Sequence, residues 1–293
     1  GLLTYGFIEA GSVGWSDYRT VFALIVGLIF ITLFVIVEKR IERPLLPLSL
    51  FKDRSFFQYN LSSFTLGFAT YSNVFFIAFF LQKAQGWSAL ETGLRMAPEF
   101  IAMALFSMLF GRFSRYISVR KLMIFGFLLI AISSCLLATL ATNSPYAITG
   151  SYLFILGAGM GLATPAIGVL VMKSVAPSRS GMASATMNAL RQTGMTMGIA
   201  LLGTLMIQQA INYMMIQSQA LGIVAEPINI ITLVTENKTA SLDNQLVALL
   251  PEAFNSGFAY AMLTAGLSCF ITLFIMLFPC KEKQGALSQQ IAD

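Results

Sequence analysis

Residues 20–37 read TVFALIVGLIFITLFVIV, an apolar run without a single charged side chain. A helix of about 20 apolar residues is needed to cross the roughly 30 Å hydrocarbon core of a bilayer. Six further stretches have the necessary length and composition, and each is bounded by charges or by turn residues. These stretches are residues 57–81, 92–111, 121–141, 147–172, 181–208 and 255–278. The sequence therefore predicts an all-α polytopic membrane protein with seven spans.

The composition of the 293-residue chain also indicates a lipid environment. Apolar residues make up 57% of it and charged residues only 11%, whereas soluble domains carry about 25% charged residues. Histidine is absent from the sequence, so the usual general base at neutral pH and the usual zinc ligand are both missing. Cys135, Cys269 and Cys280 match no metal-binding spacing. We therefore expect a protein that is not an enzyme and that binds no metal or cofactor.

The basic residues alternate between the connections of the seven stretches. Thirteen of the 18 Lys and Arg residues lie in every second connection, whereas the opposite connections hold only Arg19, Lys83 and Lys238. Cytoplasmic loops of membrane proteins are enriched in Lys and Arg. The alternation predicts a cytoplasmic C-terminus and an extracytoplasmic loop at about 210–254. It also explains the net charge of +5 by membrane topology, without nucleic-acid binding.

We expect three parts in the chain. Residues 1–55 would hold the end of one central helix, one complete central span and a cytoplasmic connector. Residues 56–279 would form a six-helix bundle, and residues 280–293 a cytoplasmic tail. Because the chain begins at Gly1 inside an apolar helical pattern, without the features of a signal peptide, we expect it to be an excerpt of a longer protein.

The third stretch carries three charged residues on one helical face. Glu91, Arg95 and Glu99 recur at i, i+4 and i+8, which places Glu99 about 12 Å along the axis from Glu91. Pro98 interrupts the helical hydrogen bonds beside it. Arg95 and Glu99 are therefore candidates for a substrate or proton pathway, in which Glu99 would bind a proton or a cation. The alternative is a structural Arg95–Glu99 ion pair near the outer interface.

The sixth stretch combines a polar stripe with a glycine face. Four polar residues follow one another at i+4 spacing: Ser184, Asn188, Gln192 and Thr196. Arg191 borders them, and an arginine inside a span costs about 2.5–3.5 kcal/mol on insertion scales, so it usually faces a cavity or a partner. We assign Asn188, Arg191 and Gln192 to a substrate pathway; alternatively, Arg191 only ties helices together. Gly194 and Gly198 have the spacing of close helix packing.

The fifth stretch is rich in glycine and contains one proline. Its candidates for close helix packing are Gly157, Gly159 and Gly161, with a bend expected at Pro165. A dinucleotide-binding loop would need a preceding strand and an acidic residue about 20 positions later, and neither is predicted here. We therefore interpret these residues as packing residues.

The second stretch has four polar residues close to one side: Tyr59, Ser63, Thr70 and Asn73. The simplest interpretation is a polar stripe between packed helices. The alternative is that Tyr59 and Asn73 line a substrate path. The sequence leaves both interpretations open.

The connection after the third stretch reads GRFSRYISVRKLM and begins at Gly111. It resembles the basic loop motif of the major facilitator superfamily, which has the form G-R-[LF]-[SA]-D-R-x-G-x-R-[RK]. Five residues match this form: Gly111, Arg112, Ser114, Arg120 and Lys121. Arg115 stands where the motif has its aspartate, and Ser118 replaces its second glycine. This departure leaves the loop an anchoring role instead of a charge relay.

Further segments resemble fourteen-span drug:proton antiporters of the EmrB/QacA type. The connector into the second half of these proteins is similar to GWS at 14–16, Glu38, PLLPL at 44–48 and LF at 50–51. Later signatures are similar to FLQ at 80–82, GLR at 93–95 with Pro98, and Asn188 with RQ at 191–192 and Gly194. The ordered set covers the chain from about Trp15 to Phe278.

The resemblance implies the major facilitator fold, with its second six-helix bundle at 56–279 and its first bundle outside this chain. It also implies proton-driven export of amphipathic drugs by alternating access in the bacterial inner membrane. The partners would be the lipid bilayer, the N-terminal bundle, protons and a small-molecule substrate, with a periplasmic adaptor and an outer-membrane channel in Gram-negative relatives. The alternatives are an exporter of a siderophore, amino acid or fatty acid, or a truncated fragment that does not transport.

Overall fold

The computed structural model describes residues 1–41, 48–221, 227–236 and 244–278. Within these ranges the chain forms helices and no strands, which confirms the predicted all-α class. Three predicted features lie outside the described residues. They are the prolines of the connector at 44 and 47, the loop cation Lys238 and the tail at 280–293.

Twelve α-helices follow one another in the described ranges. They are α1 (Leu2–Val13), α2 (Tyr18–Arg40), α3 (Arg54–Leu66), α4 (Ser72–Lys83), α5 (Ala89–Arg95), α6 (Ala97–Phe113), α7 (Val119–Leu137), α8 (Tyr146–Lys173), α9 (Ser180–Ala220), α10 (Pro227–Glu236), α11 (Asn244–Ala248) and α12 (Leu250–Leu277). Short 3-10 turns, Leu48–Lys52 and Pro177–Arg179, precede α3 and α9. A π-helical segment, Gly67–Tyr71, joins α3 to α4.

Seven helical segments of the described chain are long and apolar enough to cross a membrane, which confirms the predicted number. Each of them overlaps one predicted stretch. The segments are Tyr18–Arg40, Arg54–Lys83, Ala89–Phe113, Val119–Leu137, Tyr146–Lys173, Pro177–Ala220 and Gln245–Leu277. The prediction succeeds because the length and apolar composition of a span are local properties of the sequence.

Polar side chains fix where several of these helices begin. The side chains of Asp17, Asp53, Ser88 and Ser118 each precede a helix and accept hydrogen bonds from its first-turn N–H groups. Such caps satisfy donors that have no partner within the helix. The helix starts therefore coincide with short polar residues at the ends of apolar runs.

The helices α1 and α2 form a hairpin that turns at Gly14, whose φ of 97° lies in the left-handed region. The hairpin attaches to the bundle through α1, because the hydroxyl of Thr204 on α9 donates to the carbonyl oxygen of Phe7 at 2.6 Å. Most of α2 is uncovered, with Phe22 66% and Phe30 61% exposed. These apolar side chains suit contact with lipid.

In the six-span bundle, α8 packs against α6 and α7, while α12 packs against α7 and α9. The segment formed by α3 and the π-helical turn packs against α9. Aromatic side chains fill the core where α4 meets α12, and the rings of Phe80 and Phe258 stack with centroids 4.4 Å apart. Because lipid is as apolar as these side chains, close packing is what holds such helices together.

The connection predicted at about 210–254 is largely helical in the described residues. The helix α9 continues to Ala220, because Ala210, Met214 and Ser218 extend its buried face at every fourth position. The helix α10 then lies against α9 and buries Ile230, Leu233 and Val234. The predicted stretch ended at residue 208, but the helix continues there, and the amide of Gln208 donates to the carbonyl oxygen of Ala10 on α1.

Candidate functional site

The polar stripe of α9 centres on Arg191, which is half-buried. Its guanidinium donates to Oδ1 of Asn188 at 2.5 Å, and the amide of Asn188 donates to the carbonyl oxygen of Ser184 at 3.0 Å. The guanidinium also lies 5.9 Å from the ring centre of Tyr71, within the range of a cation–π contact. Gln192 lies on an exposed side of the helix. The structure thus joins Arg191 to Asn188 and leaves Gln192 apart.

The π-helical segment brings the second span into backbone contact with α9. A Cβ atom added at Gly67 would overlap the carbonyl oxygen of Arg191. Single-turn π segments frequently occur at functional sites. Here the segment ends at Tyr71, so the same local distortion that permits the close approach also places the aromatic ring beside Arg191.

Two glycines on α9 make the corresponding contacts from the other side. A Cβ atom at Gly194 would overlap the carbonyl oxygen of Phe64, and one at Gly198 would overlap that of Phe68. The spacing of four residues places both glycines on the face that meets α3. Arg191 therefore borders the glycine face, whereas the exposed Gln192 and Thr196 lie on another side of α9.

Polar residues of the second span face different neighbours. The hydroxyl of Ser63 donates to the carbonyl oxygen of Met187 on α9 at 2.9 Å, whereas the amide of Asn73 donates to Oγ of Ser134 on α7 at 3.3 Å. Tyr59 is buried. The common side expected from the sequence is not observed, because the π-helical turn between these residues rotates Asn73 relative to those before it.

Glu91 and Arg95 of the third span bind different partners. Oε2 of Glu91 accepts hydrogen bonds from the backbone N–H of Ser88 at 3.0 Å and from its hydroxyl at 2.7 Å. The guanidinium carbon of Arg95 lies 3.5 Å from the ring centre of Trp87 and 4.9 Å from that of Tyr146. Glu91 therefore caps α5, and Arg95 is held between two aromatic rings.

Glu99 is fully buried, and neither of its carboxylate oxygens has a hydrogen-bond partner. The Arg95–Glu99 ion pair expected as one alternative is therefore wrong for this conformation, because the aromatic rings bind the guanidinium. Its backbone lies against α8, where a Cβ atom at Gly157 would overlap its carbonyl oxygen. Ionisable residues buried in membrane spans are rare and usually functional.

The glycines of α8 let two helices approach it closely. Gly157 faces α6, and a Cβ atom at Gly161 would come within 2.5 Å of the carbonyl oxygen of Met103 on the same helix. A Cβ atom at Gly159 would come within 2.7 Å of the carbonyl oxygen of Gly126 on α7. Pro165 lies inside α8. The three glycines thus form the surfaces at which α6 and α7 pack against α8.

The basic loop between α6 and α7 contains one residue with a specific long-range contact. The guanidinium of Arg120 donates to the carbonyl oxygens of Met276 and Phe278, at 2.6 and 2.7 Å. The other basic residues of the motif, together with its first glycine, are exposed: Gly111, Arg112, Arg115 and Lys121. Arg120 thus holds the C-terminal end of α12 to the start of α7.

Three aromatic partners were missed by reasoning from the sequence. They are Trp87 and Tyr146 beside Arg95, and Tyr71 beside Arg191. Aromatic residues at the ends of spans are a recognised feature of membrane proteins, but which cation each one meets depends on helix packing. The described residues contain no group of three or more His, Cys, Asp or Glu side chains that could hold a metal ion.

Comparison with known proteins supplies the family. Residues 2–199 match the family model of the Major Facilitator Superfamily. The chain is 32% identical to the multidrug transporter protein MdtP of Bacillus subtilis over 192 residues. The aligned residues make up 66% of this chain and 36% of MdtP. Over 206 residues, it is 31% identical to the multidrug resistance protein Stp of Mycobacterium tuberculosis, covering 70% of this chain and 38% of Stp.

A third relative is the methylenomycin A resistance protein of Bacillus subtilis, 27% identical over 206 residues, or 70% of this chain and 44% of that protein. The chain thus spans less than half the length of these curated relatives. The family match extends from α1 into α9 and includes the elements that carry Arg95, Glu99 and Arg191. A superfamily of transporters also agrees with the prediction that the chain is not an enzyme. The chain is a multi-pass membrane protein, and it belongs to the major facilitator superfamily.

Proposed function

We propose that the chain forms the second six-helix bundle, preceded by two central helices, of a fourteen-span transporter that exports amphipathic drugs in exchange for protons. Two of the relatives above are named for multidrug transport or resistance, which supports drugs as the substrate class. The hairpin of α1 and α2 ahead of the bundle supports the fourteen-span type. The transporter would act by alternating access between this bundle and an N-terminal one.

The polar side of α9 is the observation that carries this proposal. Arg191 and Asn188 are half-buried, while Gln192 and Thr196 are exposed in the described part of the chain. A polar helix face inside a membrane requires water or a polar partner. In a transporter with two bundles, this face would meet the first bundle across the substrate cavity, with Tyr71 beside the cation.

The basic loops support a cytoplasmic C-terminus in the bacterial inner membrane. The loop motif after α6 would anchor the cytoplasmic ends of two spans through the contact of Arg120 with the end of α12. In a Gram-negative host, the transporter would join a periplasmic adaptor and an outer-membrane channel.

The test is drug efflux by the full-length transporter in a host that lacks its own drug exporters. We expect cells with the transporter to accumulate less of a fluorescent amphipathic cation, and an uncoupler that removes the proton gradient to abolish the difference. Arg191→Gln should raise accumulation towards the level of cells without the transporter. The control is Lys83→Gln, which removes an exposed positive charge at the end of α4 and should leave efflux unchanged.

Other results would identify the rivals. Efflux of a siderophore, an amino acid or a fatty acid without efflux of drugs would indicate the narrower substrate. A correctly inserted protein that moves none of these compounds would indicate a protein that does not transport. Drug efflux that persists with the uncoupler would refute the coupling to protons.

A further inference from the structure

The carboxyl group of Glu99 lies in an environment that does not stabilise a negative charge. Glu99 is fully buried on α6, its backbone lies against Gly157 of α8, and both carboxyl oxygens are without hydrogen-bond partners. A buried carboxylate without a partner is far more costly than the corresponding neutral acid. In this conformation the group must therefore carry a proton.

The start of α6 does not supply the missing donors. The helix α5 continues into α6 through Met96, whose N–H donates to the carbonyl oxygen of Thr92 at 3.0 Å. The N–H of Glu99 donates to the carbonyl oxygen of Met96 at 3.1 Å, and Pro98 has no N–H. These backbone groups are therefore not free to bind the carboxylate, unlike those of an isolated helix N-terminus.

We propose that Glu99 carries a proton during transport and that Arg95 becomes its counter-ion when the proton leaves. This inference rests on the proposed exchange of drug for protons and names the group responsible in this bundle. The proton would pass to water as the contact between α6 and α8 opens, and the guanidinium would leave its aromatic partners to pair with the carboxylate.

Arg95 is the charged group best placed for this exchange. It precedes Glu99 by one helical turn, a spacing at which side chains meet on a helix surface. Its present contacts are with two neutral rings, and an ion pair away from water is stronger than such contacts. The other charged groups of α5, α6 and α8 are less well placed, since Glu91 is bound to Ser88 and Arg112 and Lys173 lie in the last turns of their helices, far from Glu99 in the first turn of α6. The remaining titratable groups on these helices are the hydroxyls of Tyr146 and Tyr152.

The packing around Glu99 favours a proton over a drug as its ligand. The backbones of α6 and α8 touch at Gly157 and again at Gly161, so no side chain separates the two helices there. A proton needs no space, whereas a drug would have to separate these helices. Two hydroxyl groups on the same pair of spans, those of Thr92 and Thr149, are also buried without partners. Each can both donate and accept, as a proton path requires.

The first measurement is infrared spectroscopy of the full-length transporter. The wild type should show a protonated-carboxyl band that is absent from Glu99→Gln and that disappears when the pH is raised. The matched control is Glu91→Gln, an exposed carboxylate on the same span that should leave the band unchanged. If Glu99→Gln does not fold, Glu99→Asp keeps a carboxyl group at this position and should shift the frequency of the band instead.

The second measurement is drug accumulation in proteoliposomes under a pH gradient. A gradient of about one unit sustains about a tenfold drug gradient for each coupled proton. Glu99→Gln should no longer accumulate drug in response to the pH gradient. Its affinity for the drug and its exchange of drug down a drug gradient should remain. Arg95→Gln should keep the infrared band and also lose accumulation, and Arg95→Lys should restore part of it.

Three results would overturn the proposal. The first is the absence of a carboxyl band attributable to Glu99, or a band that does not change with pH. The second is unchanged accumulation by folded Glu99→Gln. The third is a loss of affinity restricted to cationic drugs, which would make Glu99 a substrate contact. If the transporter moves no drug, the proposed function fails, but the infrared band still decides whether Glu99 holds a proton.

Discussion

Two glycines on α8 provide a matched test of the packing argument. A Cβ atom at Gly159 would lie 2.7 Å from the carbonyl oxygen of Gly126 and 2.8 Å from a side-chain carbon of Ile130. A Cβ atom at Gly168, nine residues later on the same helix, would meet nothing within 4 Å. Gly159→Ala and Gly168→Ala therefore add the same methyl group to the same helix, and only the first adds it to a backbone contact.

The contact distances set the size of the effect. Ordinary contact begins at 3.4 Å, so α7 and α8 must separate by about 0.7 Å around Gly159→Ala. Overpacking of this kind costs about 1–3 kcal/mol, and replacing a helical glycine by alanine returns about 0.5–1 kcal/mol. Gly159→Ala should thus be destabilised by up to about 2.5 kcal/mol, whereas Gly168→Ala should be stabilised by about 0.5–1 kcal/mol. The two variants should differ by about 2 kcal/mol, or about 4–8 °C in Tm.

The assay uses a buried thiol as the reporter. Cys269 is fully buried on α12, so a fluorogenic thiol reagent should react with it only as the bundle unfolds. The measurement is a thermal scan of the full-length transporter in detergent, with Cys269 as its single cysteine. Equal transition temperatures for Gly159→Ala and Gly168→Ala would show that α7 and α8 are not in backbone contact.

The other predictions concern single side chains. Arg120→Gln should lower stability by about 1.5–3 kcal/mol, because it removes charge-assisted hydrogen bonds to the end of α12. The exposed Arg115→Gln should change stability by no more than about 0.5 kcal/mol in the same thermal scan; equal losses would contradict this anchoring contact. Tyr71→Leu should reduce drug efflux more than Tyr71→Phe, since only the latter keeps an aromatic ring beside Arg191. The hydroxyl groups of Thr65 on α3 and Thr272 on α12 are 2.8 Å apart, so Thr65→Val should cost about 0.6 kcal/mol in the thermal scan, as is usual for a hydrogen bond between membrane helices. A loss several times larger would be inconsistent with a single hydroxyl pair.

The spans could be predicted from the sequence because each is decided within its own residues. A run such as 20–37 needs no knowledge of its neighbours to be recognised as a membrane helix. The ends of the spans do not follow from local sequence in the same way, since α9 continues past polar residues whose partners lie on other elements. Gln209, for example, donates to the hydroxyl of Ser256 on α12.

The candidate site was only partly predictable, because its contacts join distant parts of the chain. The helical spacing made Arg95 and Glu99 candidates for a pathway, but it could not show that Trp87 and Tyr146 hold the guanidinium. The expected common side of Ser63 and Asn73 was wrong for a local reason. A regular helix was assumed across a segment that contains a π-helical turn.

The attachment of the α1–α2 hairpin to α9 has a consequence for synthesis of the protein at the ribosome. The two hydrogen bonds that join them connect residues 197 and 198 positions apart. At about 5–20 residues per second, the partner of α1 is made about 10–40 seconds after α1 itself. During that interval α1 and α2 can already pack against each other, because Gly6 and Gly27 let the two helices lie close together. The exposed apolar side chains of α2 are compatible with this delay, because lipid can surround them before α9 has been made.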